Sequence, residues 1–288
     1  MKISTEIGSI ARYVGEEKAI EMCAKAGFDG WDFTMFAMGA YNWNTNTCDP
    51  SDHPLCNRNY LQFARHLRKI GEDNGIRCNQ SHAPFPVRCK ELRSRLPRAI
   101  ECTAEAGGEI CIIHPDNDKP AEENAEMYLE LLPFAKACGV KIATENMWNW
   151  DDISGYSTPA ACSSAESFCR HLEAINDDYF VACLDIGHAE MQGSGSGAAN
   201  MICALGRKLQ ALHLHDNDLR HDSHQIPFSM KIDFTSVVTA LKKTGYNGWF
   251  TLEADAYLNG FNADTVFFGV QDLASAAKKL VQMWDDYT

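Results

Sequence analysis

The chain has 288 residues and a formal net charge of −13, with 26 Lys and Arg against 39 Asp and Glu. That length suits one large domain, and the acidic balance speaks against a protein whose main task is to coat nucleic acid, because phosphate binding needs local Lys and Arg. The twelve Cys are scattered without a CxxC pair, MKISTEIGSIARYVG lacks a charged-then-apolar leader pattern, and no apolar run is long enough to span a bilayer, so the expectation is a cytoplasmic protein with reduced, mostly buried thiols and no membrane partner.

In chain order, residues 2–7 read as a short strand. Residues 16–26 have helical spacing, with Ile20, Cys23 and Ala24 on one face, and Gly27 ends the run. Residues 31–35 read as the next strand. Residues 36–56, rich in Asn, Asp, Pro and aromatics, are too long for an ordinary connection and read as a functional lid or a mobile loop. Residues 59–73 are amphipathic and Gly75 follows. The unit then repeats. Strand 76–81 runs into His82, and helix 90–106 leads to strand 110–113, which runs into His114. Helix 121–137 leads to strand 140–144 and Glu145, and helix 165–175 to strand 180–184 and Asp185. The helical stretch 198–205 leads to strand 209–212 and His213, helix 234–243 to strand 249–252 and Glu253, and helix 264–284 closes the chain.

Apolar strands alternating with helices predict an α/β protein whose parallel sheet is covered by helices. Eight strand-helix units match a closed (β/α)8 barrel, a single domain over residues 1–288. An open doubly wound sheet would usually carry a phosphate loop, and neither GxGxxG nor GxxxxGK occurs.

The six strand ends place their polar residues on one rim, where barrels of this kind assemble sites from several strands. Ala143, Cys183, Ala211 and Thr251 lie two residues earlier on the same strand faces, and their small size suits a crowded interior beneath that rim. A carboxylate at the mouth of an apolar strand is costly unless paired or metal-bound, so Glu145, Asp185, His213 and Glu253 read as ligands of a divalent ion, against a purely hydrogen-bonded network. His188, in LDIGHAEM, is either a ligand or a donor to substrate. Asp222 and His224, two apart in HDSH, point the same way in an extended segment, as ligands or as part of a solvated loop. His82 and His114, taken singly, read as rim histidines. His215 and Asp216 read as loop stabilisers, Asp216 also as an acceptor behind a ligand. The basic run Arg88, Lys90, Arg93, Arg95 and Arg98 reads as a solvated helix face that could also reach a phosphate. Trp148, Trp150 and Tyr156 would cover a small ligand or pack a long loop.

Together, SHAPFP, IIHP, ATEN, CLDIGH, LHLHDND, HDSH and TLEAD resemble the xylose-isomerase-like TIM-barrel superfamily, which holds sugar and sugar-phosphate isomerases and epimerases and also the endonuclease IV family of apurinic-site repair enzymes. The resemblance covers residues 82–253 by motif. It implies one divalent ion (Mn, Zn, Mg or Co) on Glu145, Asp185, His213 and Glu253, and a substrate contact at His188; Trp148 and Arg220 are further candidate contacts. Glu145 and Glu253 would be the catalytic acid and base, passing a proton on a sugar or keto-inositol. The endonuclease branch implies more ions and further ligands, His82, His114, His188, Asp222 and His224, whose residue types all match. That branch also carries a Lys, Gly-Ser-Arg and Gly-Glu-Gly signature, where this chain reads NDLRHDSHQIPFSMKIDF. The preferred reading is therefore a metal-dependent sugar isomerase or epimerase acting on a small sugar or sugar phosphate. The alternatives are a multi-zinc phosphodiester hydrolase and a non-catalytic metal-bearing barrel that binds sugar. Nucleic acid is not an expected partner, and a homo-oligomer stays open.

Overall fold

A computed structural model describes residues 1–286. In chain order the elements are β1 (Lys2–Glu6), α1 (Gly8–Val14), α2 (Glu16–Ala26), β2 (Gly30–Thr34), β3 (Ala40–Asn42), β4 (Thr47–Asp49), α3 (Tyr60–Asp73), β5 (Arg77–His82), α4 (Lys90–Arg93), α5 (Leu96–Ala106), β6 (Ile110–Ile112) and α6 (Ala121–Cys138). There follow β7 (Lys141–Glu145), β8 (Asn149–Asp151), β9 (Tyr156–Thr158), α7 (Ala165–Ile175), β10 (Phe180–Asp185), α8 (Ile186–Glu190), α9 (Ala198–Leu205), β11 (Leu209–His213), α10 (Phe234–Thr244), β12 (Trp249–Leu252) and α11 (Val266–Asp286).

Eight strands pair in parallel in the order β11-β10-β7-β6-β5-β2-β1-β12. The two ends of that order meet: Leu214 N donates to Thr251 O at 2.9 Å and Glu253 N to Leu214 O at 3.1 Å. The sheet is thus a closed barrel with helices outside, and the open-sheet alternative is excluded. Closure explains why β10, FVACLD, is buried at every position: both faces of a barrel strand are covered.

The helices form for local reasons and end where the sequence stops them. Gly139 ends α6 in the left-handed region (φ 71°), a conformation that costs glycine nothing. The expected helix over 90–106 is two helices, α4 and α5. Pro97 sits in the first turn of α5, where its missing N–H is harmless, but within one continuous helix its ring would clash with the carbonyl of Arg93. Residues 36–56 and 146–160 are not plain loops; each holds a hairpin, β3–β4 and β8–β9.

The barrel interior has two halves. Ile112, Ala143, Val181, Cys183 and Ala211 form a small apolar cluster. The other half is polar: Thr251 Oγ1 accepts from Ser4 Oγ at 2.8 Å and from Asn79 Nδ2 at 3.1 Å, and Gln80 Nε2 donates to Asp32 Oδ2 at 2.8 Å. The small residues expected beneath the rim do face inward, and Thr144 faces the helices, bonded to Tyr128 of α6 at 2.9 Å. All twelve Cys are unpaired. Among the described residues, no helix is long and apolar enough to cross a membrane.

Candidate active site at the strand ends

The rim is built from strand termini. Glu6, His82, Glu145, Asp185 and His213 are the last residues of β1, β5, β7, β10 and β11. Glu253 lies one residue beyond β12, and His114 two beyond β6. A strand end is the one place where an apolar, inward-facing strand can present a polar side chain without breaking the packing beneath it.

Glu145, Asp185, His213 and Glu253 offer ligand atoms that all lie within 4.8 Å of one another. His213 Nδ1 is 3.0 Å from Glu145 Oε1 and 3.2 Å from Glu253 Oε2. Its other nitrogen, Nε2, is 3.3 Å from Asp32 Oδ2. That carboxylate on the barrel floor, itself fully buried, holds the ring so that Nδ1 faces the cluster, the arrangement usual behind a metal-binding histidine. Glu145 Oε2 also takes His114 Nε2 at 3.1 Å and lies 3.5 Å from His82 Nε2, and these three form a second ligand group.

A further group faces the first: His188, His215, Asp222 and His224. Asp222 Oδ2 is 3.2 Å from His188 Nε2, 3.1 Å from His224 Nε2 and 3.2 Å from Trp148 Nε1. His188 and His224 turn their Nδ1 atoms to the carbonyls of Asn146 (2.8 Å) and Glu253 (2.7 Å), leaving each Nε2 for the cluster. His215 Nε2 lies 3.0 Å from Asp185 Oδ1, and its ring stacks on His224 at 3.9 Å. The same ring rests on Gly187, where a Cβ would penetrate it; LDIGH therefore needs its glycine.

Burial raises the proton affinity of Glu145, Asp185, Asp222 and Glu253, and neighbouring imidazoles oppose it. For Glu145 the imidazoles of His213, His114 and His82 win, and its carboxyl is held well below the ordinary range. For Glu253 burial wins, helped by the Glu145 charge against the pull of His213, and its pKa is pushed up to about 7. Burial disfavours charge on His188, but Asp185 and Asp222 overcome it and lift its pKa to about 10. Burial and the His82 charge push His114 down to about 4. Pairs of carboxylates driven apart in this way divide into an acid and a base.

The donor set fits a divalent cation of intermediate hardness: imidazole nitrogens and carboxylate oxygens converge, and Asp222 Oδ1 is buried without a hydrogen-bond partner. The rim opens into a cavity of about 940 Å³, walled by Phe36, Trp43, Phe85, Trp148 and Trp150 above the cluster.

The sequence profile of the xylose isomerase-like TIM barrels matches residues 20–280. The chain belongs to that family. An uncharacterized protein of Methanocaldococcus jannaschii is 27% identical to it over 253 residues, 82% of this chain and 78% of the other. A D-tagatose 3-epimerase-like protein has the same fold, with a TM-score of 0.71 at 21% identity over 99% of each chain. So does the IolI protein, solved with a zinc atom, with a TM-score of 0.69 at 18% identity over 100% of this chain and 99% of the other.

Within this family barrel every expected rim residue converges, but some expectations change. Asp216 does not stand behind a ligand. It accepts the backbone N–H groups of Met230, Lys231 and Ile232 at 2.8–3.1 Å and so folds the loop after β11. The carboxylate behind His213 is Asp32, while His215, a member of the facing group, also braces Asp185. Asp32 gave a signal in the sequence, a carboxylate inside the apolar run GWDFT, and Glu6 ends its strand as the others do. Arg220 is not among the cavity-lining residues; its Nε donates to Gly155 O at 2.5 Å and its guanidinium covers Tyr156, pinning the β8–β9 hairpin. Most of the basic run is also engaged. Arg98 donates to Leu55 O at 2.9 Å, Arg95 to Met38 O, and Arg93 pairs with Glu130, while Arg88 lines the cavity.

Proposed function

We propose that this chain is a metal-dependent isomerase or epimerase of a carbonyl sugar, working by proton transfer between Glu145 and Glu253. The observation that carries the reading is the pair itself: two carboxyl groups flanking His213, one held ionised and the other poised near neutrality. Glu145, Asp185, His213 and Glu253 would hold the ion, which when bound polarises adjacent substrate oxygens as a Lewis acid. A carboxylate takes the proton from the carbon between a carbonyl and a hydroxyl, and the other carboxyl group returns one to the opposite face or to the neighbouring carbon. His188 donates to a substrate hydroxyl, and Trp148 shields the reacting carbon from water. The resemblance in fold to a tagatose 3-epimerase-like protein and to zinc-bearing IolI supports this class. The experiment is solvent deuterium incorporation into carbonyl sugars, with the ion stripped and then restored. Glu253→Gln is expected to lose roughly 100-fold or more in exchange rate, with the circular dichroism spectrum retained. Exchange unaffected by both Glu253→Gln and Glu145→Gln would sink the assignment.

A second reading rests on the other two ligand groups, which would suit a multi-zinc phosphodiester hydrolase. Elemental analysis separates them: about three zinc ions per chain with incision of abasic-site DNA favours hydrolysis, about one disfavours it.

A further inference from the structure

Glu145 and Asp185 end the neighbouring strands β7 and β10, yet the backbone ladder between those strands stops at the pair Glu145 and Cys183. Beyond that pair the chain leaves the barrel. Met147 N turns to Ala161 O at 3.0 Å, at the foot of the β8–β9 hairpin. Asp185 is fully buried, and its N–H and C=O need partners that the ladder no longer supplies.

The side chain of Asn146 supplies both. Its Oδ1 accepts from Asp185 N at 2.8 Å and its Nδ2 donates to Asp185 O at 2.9 Å. One amide group thus stands in for a further residue of β7. The Asn146 backbone takes a third partner, its carbonyl accepting from His188 Nδ1 at 2.8 Å. Asn146 is itself fully buried and lines no part of the cavity.

The Asp185 carboxylate has other supports, but they come from elsewhere. Its Oδ1 accepts from His188 N at 2.7 Å, in the turn that follows it, and from His215 Nε2 at 3.0 Å, past the end of β11. Asn146 is the tie from Asp185 to β7, and so to Glu145, the residue next to it in the chain. The position calls for a donor and an acceptor on one short planar group. Asp keeps the shape and the acceptor but loses the donor, and Leu keeps the volume and loses both.

We propose that Asn146 is a positioning residue of this site. Its amide sets Asp185 against Glu145 so that both reach one ion, and its carbonyl turns His188 Nε2 toward Asp222 and the cavity. The kinetic consequence rests on the proton-transfer function above; the consequence for ligand geometry does not.

The test strips the full-length protein of metal and titrates it with Co²⁺ against a chelator, because the visible absorption of Co²⁺ follows the arrangement of its ligands. Asn146→Leu is expected to lose roughly 10–100-fold in Co²⁺ affinity and to alter the Co²⁺ spectrum, with the circular dichroism spectrum retained. At saturating Co²⁺, deuterium uptake into D-fructose or D-tagatose should fall about tenfold or more in kcat, with KM changed less than about threefold. A role confined to holding the fold would lower the melting temperature and leave affinity, spectrum and kcat at their parent values; that result overturns the proposal. Should Asn146→Leu not fold, Asn146→Asp decides by the same affinity and spectrum. A changed spectrum with kcat intact overturns the link to the reaction. If the parent protein exchanges no proton with either sugar at saturating Co²⁺, the proton-transfer reading falls for these substrates, and affinity and spectrum still decide whether Asn146 sets the ligands.

Discussion

At the scale of single residues, the site balances protons against a cation. With no ion bound, Glu253 (about 7) and His188 (about 10) both titrate above their ordinary values of 4.5 and 6.5. A group whose pKa is raised by folding contributes stability that is complete below its unfolded value and is lost as pH rises through its folded value. Metal-free protein should therefore lose stability from these groups over about pH 4.5–7 and again over about pH 6.5–10. Ion binding on Glu145, Asp185, His213 and Glu253 displaces the Glu253 proton, so affinity rises with pH through about 7. The melting-temperature gain from added ion should widen between about pH 6 and 8, through the Glu253 value; a gain that narrows would show that Glu253 does not meet the ion. Gly187 is a second residue-level case. Gly187→Ala would push the His215 ring off Asp185, with an expected loss of roughly 10–100-fold in metal affinity by chelator competition and about 1–3 kcal/mol of stability from overpacking.

Among the elements, the loop after β11 is where one side chain does most of the folding. Fully buried Asp216 accepts from the backbone N–H groups of Met230, Lys231 and Ile232, of which Lys231 also donates to the Asn217 carbonyl. Asp216→Ala would leave the N–H groups of Met230 and Ile232 without their acceptor, Lys231 keeping the Asn217 carbonyl at 3.1 Å, and a loss of about 2–3 kcal/mol is expected in urea unfolding; a change below half of that would mean the loop refolds around other acceptors. Since Asp222 and His224 lie in the same loop, the variant should also weaken metal binding. The β8–β9 hairpin is held by Arg220 from this loop, so the wall that carries Trp148 and Trp150 is tied to the segment that carries Asp222.

For the whole molecule, barrel closure forces carboxylates into one mouth. Glu145 and Asp185 are 1% and 0% exposed, and buried charge of one sign is tolerated only with compensation. The imidazoles supply some, and a divalent cation would supply more. At free ion a thousand times its dissociation constant, linkage gives about 4 kcal/mol, which for a chain of this size is a rise of roughly 10 °C in Tm. Calorimetry with and without chelator checks this, and an unchanged Tm would mean that the cluster holds no ion.

Alternating strands and helices, and polar residues recurring at strand ends, were readable along the chain because both are local: periodicity and chain order set them. They sufficed for the barrel and for placing His82, His114, Glu145, Asp185, His213 and Glu253 at or just past strand ends on one rim. What lay beyond them was contact between residues distant in sequence. Whether residue 32 or 216 stands behind His213 depends on which strand closes beneath it. Whether Arg220 reaches the cavity or a hairpin depends on how two loops cross. That the ring of His215 lies on Gly187 follows from pairing β10 with β11, and that Trp43 and Trp150 line one cavity follows from wrapping the whole sheet, and no local pattern of apolar and polar residues encodes such distances.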